Sequence, residues 1–295
     1  MHGTNSSWGG NWTEQKLETF EKYVNAYLSI MNNFRDKYNW KLIYFDGFAG
    51  SGSRKDTTNT ELYNELFPED DFSQNPYKGA AERVLGIKQR GFDFYYFIDK
   101  DQESNKKLES KLQSYQTTKN KLIFRTGDAN EQIIRLAEAL NNNKIYKALV
   151  LLDPFGMQID WSSIEKLKDT SCDLWILIPS GVIVNRLLDK QGKLTYIDKL
   201  KSFFGMDEPE IRKAFYLKET EQSLFGEKEV IRKIDDPINK ITEIYLGKLK
   251  KLFPYVIQKP LVMYNTLKVP IYHFAFASTN KTAIKIASQI VGGMN

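Results

Sequence analysis

The sequence predicts an α/β fold built on a doubly wound, mostly parallel sheet, and three observations carry that expectation. Five short apolar runs rich in Ile, Val, Phe and Tyr alternate with helical stretches, as strands buried on both faces do. The first run leads into the loop Asp46-Gly47-Phe48-Ala49-Gly50-Ser51-Gly52, and the second and fourth also end in an acid, Asp99 and Asp153. A chain of 295 residues has room for one large core with additions.

Taken in order, residues 1–12 are rich in Gly, Asn and Ser and predict a loose tail. Thr13 is the expected cap of a first helix, with Trp12 and Leu17 placed as a hydrophobic staple. Leu17, Phe20, Val24, Tyr27, Leu28 and Met31 then recur at helical spacing. The expected strands are Lys41 to Phe45, Phe92 to Ile98, Lys121 to Phe124, Tyr146 to Leu152 and Asp173 to Ile178. Tyr255 to Tyr264 and Ile271 to Ser278, separated by a turn with Pro270, predict a C-terminal antiparallel hairpin, completed by a helix within 253–295. The core therefore runs over 13–186, with an irregular insertion at 53–77. A helical, charged module over 187–252 carries the stripes Leu194, Ile197, Leu200, Phe204 and Ile241, Ile244, Tyr245, Leu249, expected to face the core.

Composition removes several chemistries. Cys172 alone cannot form an intrachain disulfide, and with only His2 and His273 beside it no Cys/His zinc site or Ser-His-Asp hydrolase is credible. The net charge of +5 fits a nucleic-acid partner and equally a balanced, solvated surface. No apolar run approaches the roughly 18 residues needed to span a bilayer, so a cytoplasmic protein without membrane contact is expected.

The candidate site gathers at the strand ends. Glycines at 50 and 52 let a backbone approach a small ligand. Their order, G-x-x-G-x-G, lacks the spacing of a dinucleotide fingerprint and the Lys-Ser/Thr ending of a P-loop. Asp99 can accept hydrogen bonds from both ribose hydroxyls of an adenosyl cofactor. Its distance of 47 positions from Gly52 exceeds the roughly 20 of a simple unit, and the insertion at 53–77 accounts for the excess. Asp101 is the fallback, and either acid has a helix cap as its plain alternative. Asp128, in Gly127-Asp128-Ala129-Asn130, either caps the next helix or meets the cofactor's adenine amine.

Asp153-Pro154-Phe155-Gly156 is the most specific signal, against the plain alternative of an Asp-Pro turn with a buried Phe. An exocyclic amine on a nucleobase is a poor nucleophile because its lone pair is delocalised into the ring. Hydrogen bonds from its protons to Asp153 and to the Pro154 carbonyl favour the pyramidal form and aim it. Phe155 is placed to stack on the extruded base. Pro179-Ser180-Gly181 and Asn185-Arg186 are expected at the same rim as weaker substrate contacts.

With these residues together, the sequence resembles class I S-adenosylmethionine (SAM) dependent methyltransferases, whose Rossmann-like sheet has five parallel strands and a terminal antiparallel hairpin. Asp46, Phe48, Gly50 and Gly52 look like their motif I, in which the loop lies along the methionine part of SAM and the acid helps hold its ammonium. On that likeness Asp99 meets the ribose and Asp128 and Ala129 the adenine. More narrowly, the chain resembles the three-Cys-motif partner (TcmP) family, from Trp12-Thr13-Glu14-Gln15-Lys16-Leu17 through Tyr44 to Gly52 and Phe97-Ile98-Asp99 to Leu152-Asp153-Pro154-Phe155-Gly156, over roughly the first 190 residues. That resemblance implies a bacterial protein with a genomic partner, a three-cysteine protein similar to radical-SAM enzymes. The tetrapeptide is also similar to that of tRNA guanine-N2 methyltransferases. Adenine-N6 enzymes share its Asp-Pro but continue Pro-Tyr, where this chain has Phe155-Gly156. Cytosine-C5 enzymes need a cysteine after the fourth strand, and this chain has none there. The expectation is transfer of a methyl group from SAM to a base amine of RNA or DNA, or a partner protein of the same fold that transfers none.

Overall fold

The structure, a computed structural model, describes residues 11–52, 78–223 and 226–294. The expected insertion at 53–77 and the tail up to residue 10 lie outside the described residues. The first helix, α1 (Asn11–Phe34), begins before Thr13, which therefore lies inside the first turn instead of capping it. Trp12 does not staple the helix entry either, because its ring stacks on Tyr272 of the sheet with centroids 5.4 Å apart. Phe20, Tyr23, Val24 and Leu28 form the buried stripe. Phe20 reaches both Tyr44 and Trp175, so the helix lies across strands far apart in sequence.

The parallel core consists of β1 (Lys41–Asp46), β2 (Phe94–Asp99), β3 (Lys121–Thr126), β4 (Tyr146–Leu152) and β5 (Cys172–Ile178). Between them lie α2 (Ala80–Leu85), α3 (Gln102–Leu112), α4 (Ala129–Asn142) and α5 (Trp161–Glu165). The spatial order is β3-β2-β1-β4-β5, with the winding reversed between β1 and β4. All seven positions of β5 and the last five of β4 are buried, so both faces of the sheet centre are covered. Continuous apolar runs such as Leu149 to Leu152 are what that burial requires. The result is a mixed α/β fold on a mostly parallel sheet, as the strand pattern predicts.

Beyond β5 the sheet continues antiparallel. β10 (Pro270–Ser278) pairs with β5, placing His273 opposite Ile178 and Ser278 opposite Asp173. The expected partner strand over 255–264 is two pieces, β8 (Tyr255–Val256) and β9 (Leu261–Tyr264), both paired with β10. Pro260, which has no N–H to give a ladder, stands in the break between them. The last helix, α10 (Lys281–Gly292), is capped by Asn280, which accepts from the Thr282 and Ala283 amides.

The module expected to be helical over 187–252 is only partly so. A π-helical turn (Ser180–Val184) runs into the short α6 (Asn185–Leu187), followed by α7 (Ile197–Phe204), α8 (Glu208–Phe215) and the long α9 (Pro237–Leu252). Between α8 and α9 stands a hairpin, β6 (Tyr216–Ser223) with β7 (Gly226–Lys233), that the sequence reading takes as helix. Its strands lack apolar alternation. They are paired instead by opposite charges across the ladder, such as Lys218 with Glu229 at 2.7 Å, which a search for hydrophobic periodicity misses. Both apolar stripes do face the interior: Leu194, Leu200, Phe204, Ile241, Tyr245 and Leu249 are buried. Among the described residues no helix is long and apolar enough to cross a membrane.

Candidate functional site

A doubly wound sheet opens a crevice at the carboxyl ends of the strands where the winding reverses. Here that is the gap between β1 and β4, whose ends deliver Asp46 and Asp153. Asp46 is 2% exposed. Its Oδ1 accepts from the Phe48 amide at 3.2 Å and its Oδ2 from the Tyr44 hydroxyl at 3.1 Å. Burial pushes its pKa up to about 7, a rise the Phe48 amide opposes. The Asp153 charge adds to the rise, and Tyr44 and the Lys16 ammonium draw it back.

The loop after β1 is tied to β2. Ala49 donates its N–H to the Ile98 carbonyl at 2.9 Å, and Gly50 donates to Asp99 Oδ2 at 2.9 Å. Asp99 Oδ1 accepts from the Asp101 amide at 2.7 Å. Burial raises the Asp99 pKa, and these two amides oppose it. Gly50 and Gly52 sit at φ of 60° and 69°, left-handed values that disfavour other residues. Among the described residues, a Cβ placed on Gly50 would meet no atom within 4 Å.

The acids after β2 and β3 divide between the two roles. Asp101 is the N-cap of α3, so the fallback to Asp99 does structural work. Asp128 caps α4 through the Asn130 amide, and Ala129 is the buried first residue of that helix. The cap reading thus holds for Asp128. The residue still reaches the common edge, because Gly127 donates to the Asp99 carbonyl at 2.9 Å and ties the end of β3 to that of β2.

On the other side of the crevice, Asp153 Oδ2 is ion-paired with Lys16 of α1, whose side chain is 7% exposed. Pro154 is buried and Phe155 is 52% exposed, so the alternative of a buried Phe does not hold. The turn is held from behind: the Phe155 amide donates to Gln158 Oε1 at 2.9 Å, and Asn130 Nδ2 donates to the Gln158 carbonyl at 2.9 Å. Asn130 Oδ1 in turn accepts from the Asp160 amide. Among the described residues the Pro154 carbonyl accepts no hydrogen bond.

The two weaker candidates, Ser180 and Asn185, are both engaged within the protein. Ser180 is fully buried and sits 2.7 Å from His273 Nδ1, which also lies 3.1 Å from Thr242 Oγ1. Burial pushes the His273 pKa down to about 4, so this neutral pair is a packed polar contact. Asn185 is likewise engaged, its carbonyl and side-chain oxygen both accepting from Lys233.

Lys16 and Tyr44 are the site residues that sequence reading misses. The available signal was a lysine on the apolar face of α1, four positions from both Trp12 and Phe20, since a buried ammonium there requires a partner. Among the described residues no group of three or more His, Cys, Asp or Glu is arranged to hold a metal ion.

Comparison with known proteins adds little. No family model matches the chain, and no curated protein matches it. One similar solved structure is a crystal structure of a Legionella pneumophila strain Philadelphia 1 protein of the family model DUF519. The likeness has 12% identity and a TM-score of 0.40, over 83% of this chain and 93% of that one. A likeness that distant carries no argument about function.

Proposed function

We propose that the chain is a SAM-dependent methyltransferase acting on an exocyclic amine of a nucleobase in RNA or DNA. The observation that carries this reading is the juxtaposition across the switch point: a positive-φ glycine loop hydrogen-bonded to Asp99 on one side, and Asp153-Pro154-Phe155 on the other. The donor set fits a cationic adenosyl ligand. Asp46 and Asp153 face a single ammonium, Lys16, and a second positive group beside Asp46 would offset the cost of ionising a carboxyl held at about 7. Asp99 would take the ribose, and no described residue crowds the Gly50 Cα on the side where the chain of the cofactor would lie.

Bound there, SAM would supply an electrophilic methyl group on a sulfonium, with S-adenosylhomocysteine as the leaving group and the proton of the methylated amine passing to solvent. The protein's own part is to aim the lone pair of the amine. Asp153 and the Pro154 carbonyl would accept hydrogen bonds from the amine and favour its pyramidal form, and the exposed Phe155 ring offers a face for the base. Lys16 keeps the partly buried Asp153 paired until the substrate arrives.

Calorimetry with SAM and S-adenosylhomocysteine on the native chain and on Asp46→Ala and Asp99→Ala tests the cofactor half. Micromolar binding lost in both variants is the expected result, followed by transfer to nucleic acid that Asp153→Ala lowers by about two orders of magnitude or more. Undiminished transfer by Asp153→Ala would remove its assigned role. A second reading, a protein of the same fold that binds a three-cysteine, radical-SAM-like partner, draws support from Tyr264, Leu267 and Val269. They are exposed at 51%, 81% and 42% around the β9–β10 turn. Absence of any SAM binding turns the choice to that reading.

A further inference from the structure

The net positive charge of this protein comes from one end of the chain. Residues 244–295 hold seven lysines and no Asp, Glu or Arg, while the remaining 243 residues carry 35 basic and 37 acidic side chains. The net +5 is thus a surplus of seven on α9's last turns, β8 to β10 and α10, against a deficit of two elsewhere. These elements enclose a groove of about 560 Å³ on the antiparallel edge of the sheet, lined by Lys250, Tyr255, Lys259, Ile284 and Ser288.

We infer that this groove is a docking surface for the phosphate backbone of a single-stranded nucleic acid. Lys250 of α9 and Lys259 of the segment between β8 and β9 line it; Lys251 follows Lys250 in the chain, and Lys281 and Lys285 precede the lining residues Ile284 and Ser288 by three positions each on α10, at the spacing that shares a helix face. All five are exposed, and among the described residues none of them forms an ion pair. Helix stabilisation accounts for Lys250 and Lys251, which sit at the negative end of α9. It does not account for Lys281, the first residue of α10, where a cation opposes the helix dipole and costs stability. A cation kept there suits an anion outside the protein.

The residue type narrows the partner. Lysine is a point charge that tracks phosphates, whereas arginine forks read base edges, and the patch has no arginine. The Tyr255 ring in the groove offers a stacking face, which only an unpaired base can use. β8 pairs with Ser278, which lies opposite Asp173 at the amino end of β5, so the groove is about 20 Å along the sheet from the crevice. It anchors the strand away from the chemistry and acts on affinity alone.

This inference rests on the proposed activity only for its purpose, and its test separates the two. Fluorescence anisotropy is measured with labelled single-stranded RNA, single-stranded DNA and duplex DNA, each about 20 nucleotides long, over about 50 to 200 mM salt. The combined variant Lys250→Glu/Lys259→Glu/Lys281→Glu is compared with Lys106→Glu/Lys119→Glu/Lys168→Glu, which makes the same charge change elsewhere. Single strands should bind the native protein more tightly than duplex. The groove variant should weaken that binding about tenfold or more and flatten the log–log salt slope by about 2, far beyond the control. No binding by the native protein, equal losses in both variants, or a preference for duplex overturns the inference. Thermal melting and SAM calorimetry on the same samples report on the fold and on the crevice. If the groove variant loses nucleic acid while neither protein binds SAM, the docking surface stands and the methyltransferase reading falls.

Discussion

The two edges of the sheet each bury an aspartate, and they differ in what surrounds it. At the amino edge Asp173 lies among neutral hydroxyls: Tyr23 donates to Oδ2 at 2.6 Å and Ser278 to Oδ1 at 2.5 Å. At the carboxyl edge Asp46 stands near a second carboxylate, Asp153, with one lysine between two acids and a glycine loop in front. Both oxygens of each acid are served by the protein, and only the first arrangement has no second acid beside it. The second leaves a surplus negative charge in a crevice, and the protein gains nothing in stability from holding it there. Buried acids of one residue type are thus sorted into structure and site by whether a second carboxylate and a glycine loop stand beside them.

The largest effect expected from this contrast comes from Lys16. Replacing it with Met keeps much of the volume and leaves Asp153 without its ammonium, which should cost about 3 kcal/mol in a urea melt. The amino edge has no equivalent: Ser278→Ala removes one of two neutral donors to Asp173 and should cost about 1 kcal/mol. Equal losses would erase the distinction between the edges.

Proton linkage gives a second, smaller contrast. Burial pushes Asp173 up to about 6 and Asp46 up to about 7, both above an unfolded value of about 4. In that window the folded protein binds more protons than the unfolded chain. Stability is therefore greatest at or below pH of about 4 as far as these groups are concerned, and falls as pH rises through 6 and 7. Between pH 6 and pH 8 the loss should be on the order of 2 kcal/mol, and Asp46→Asn should remove most of it. SAM sharpens the comparison. A cationic ligand beside Asp46 should stabilise the protein more at pH 8 than at pH 6, and should leave the Asp173 part of the profile as it was. A ligand shift independent of pH would detach Asp46 from the ligand.

What was legible in the sequence follows from the same physics. Continuous apolar runs mark strands covered on both faces, so β1 to β5 could be placed within about two residues and the acids at their ends recognised. Asp46, Asp99, Asp128 and Asp153 do come together on one edge, because parallel strands all end on the same side. Lys16 could not be assigned to Asp153 from sequence, since the contact joins residues 137 positions apart and depends on how α1 crosses the sheet. The β6–β7 hairpin was hidden for another reason: its strands are held by cross-strand charges, and polar segments with that composition read equally well as a helix surface. The two-piece edge strand shows the local limit, since Pro260 marks a break that does not end the sheet.

The smallest effect is the most direct test of the loop, and it compares two glycines that both have space around them. Among the described residues a Cβ meets nothing within 4 Å at Gly50 or at Gly247, so substitution by Ala creates no clash with them at either. Any difference comes from the backbone alone. Gly247 lies inside α9, where Ala is preferred, and Gly247→Ala should stabilise the protein by about 0.5 to 1 kcal/mol. Gly50 has φ of 60°, where a Cβ is disfavoured, and Gly50→Ala should destabilise by about 1 kcal/mol. Thermal melts read both signs. Only the second substitution also places a methyl group where the chain of the cofactor would lie, so it should weaken SAM binding well beyond what its stability cost explains. Unchanged affinity in Gly50→Ala would mean that a ligand does not lie against that face, and the glycine would then be there for the turn alone.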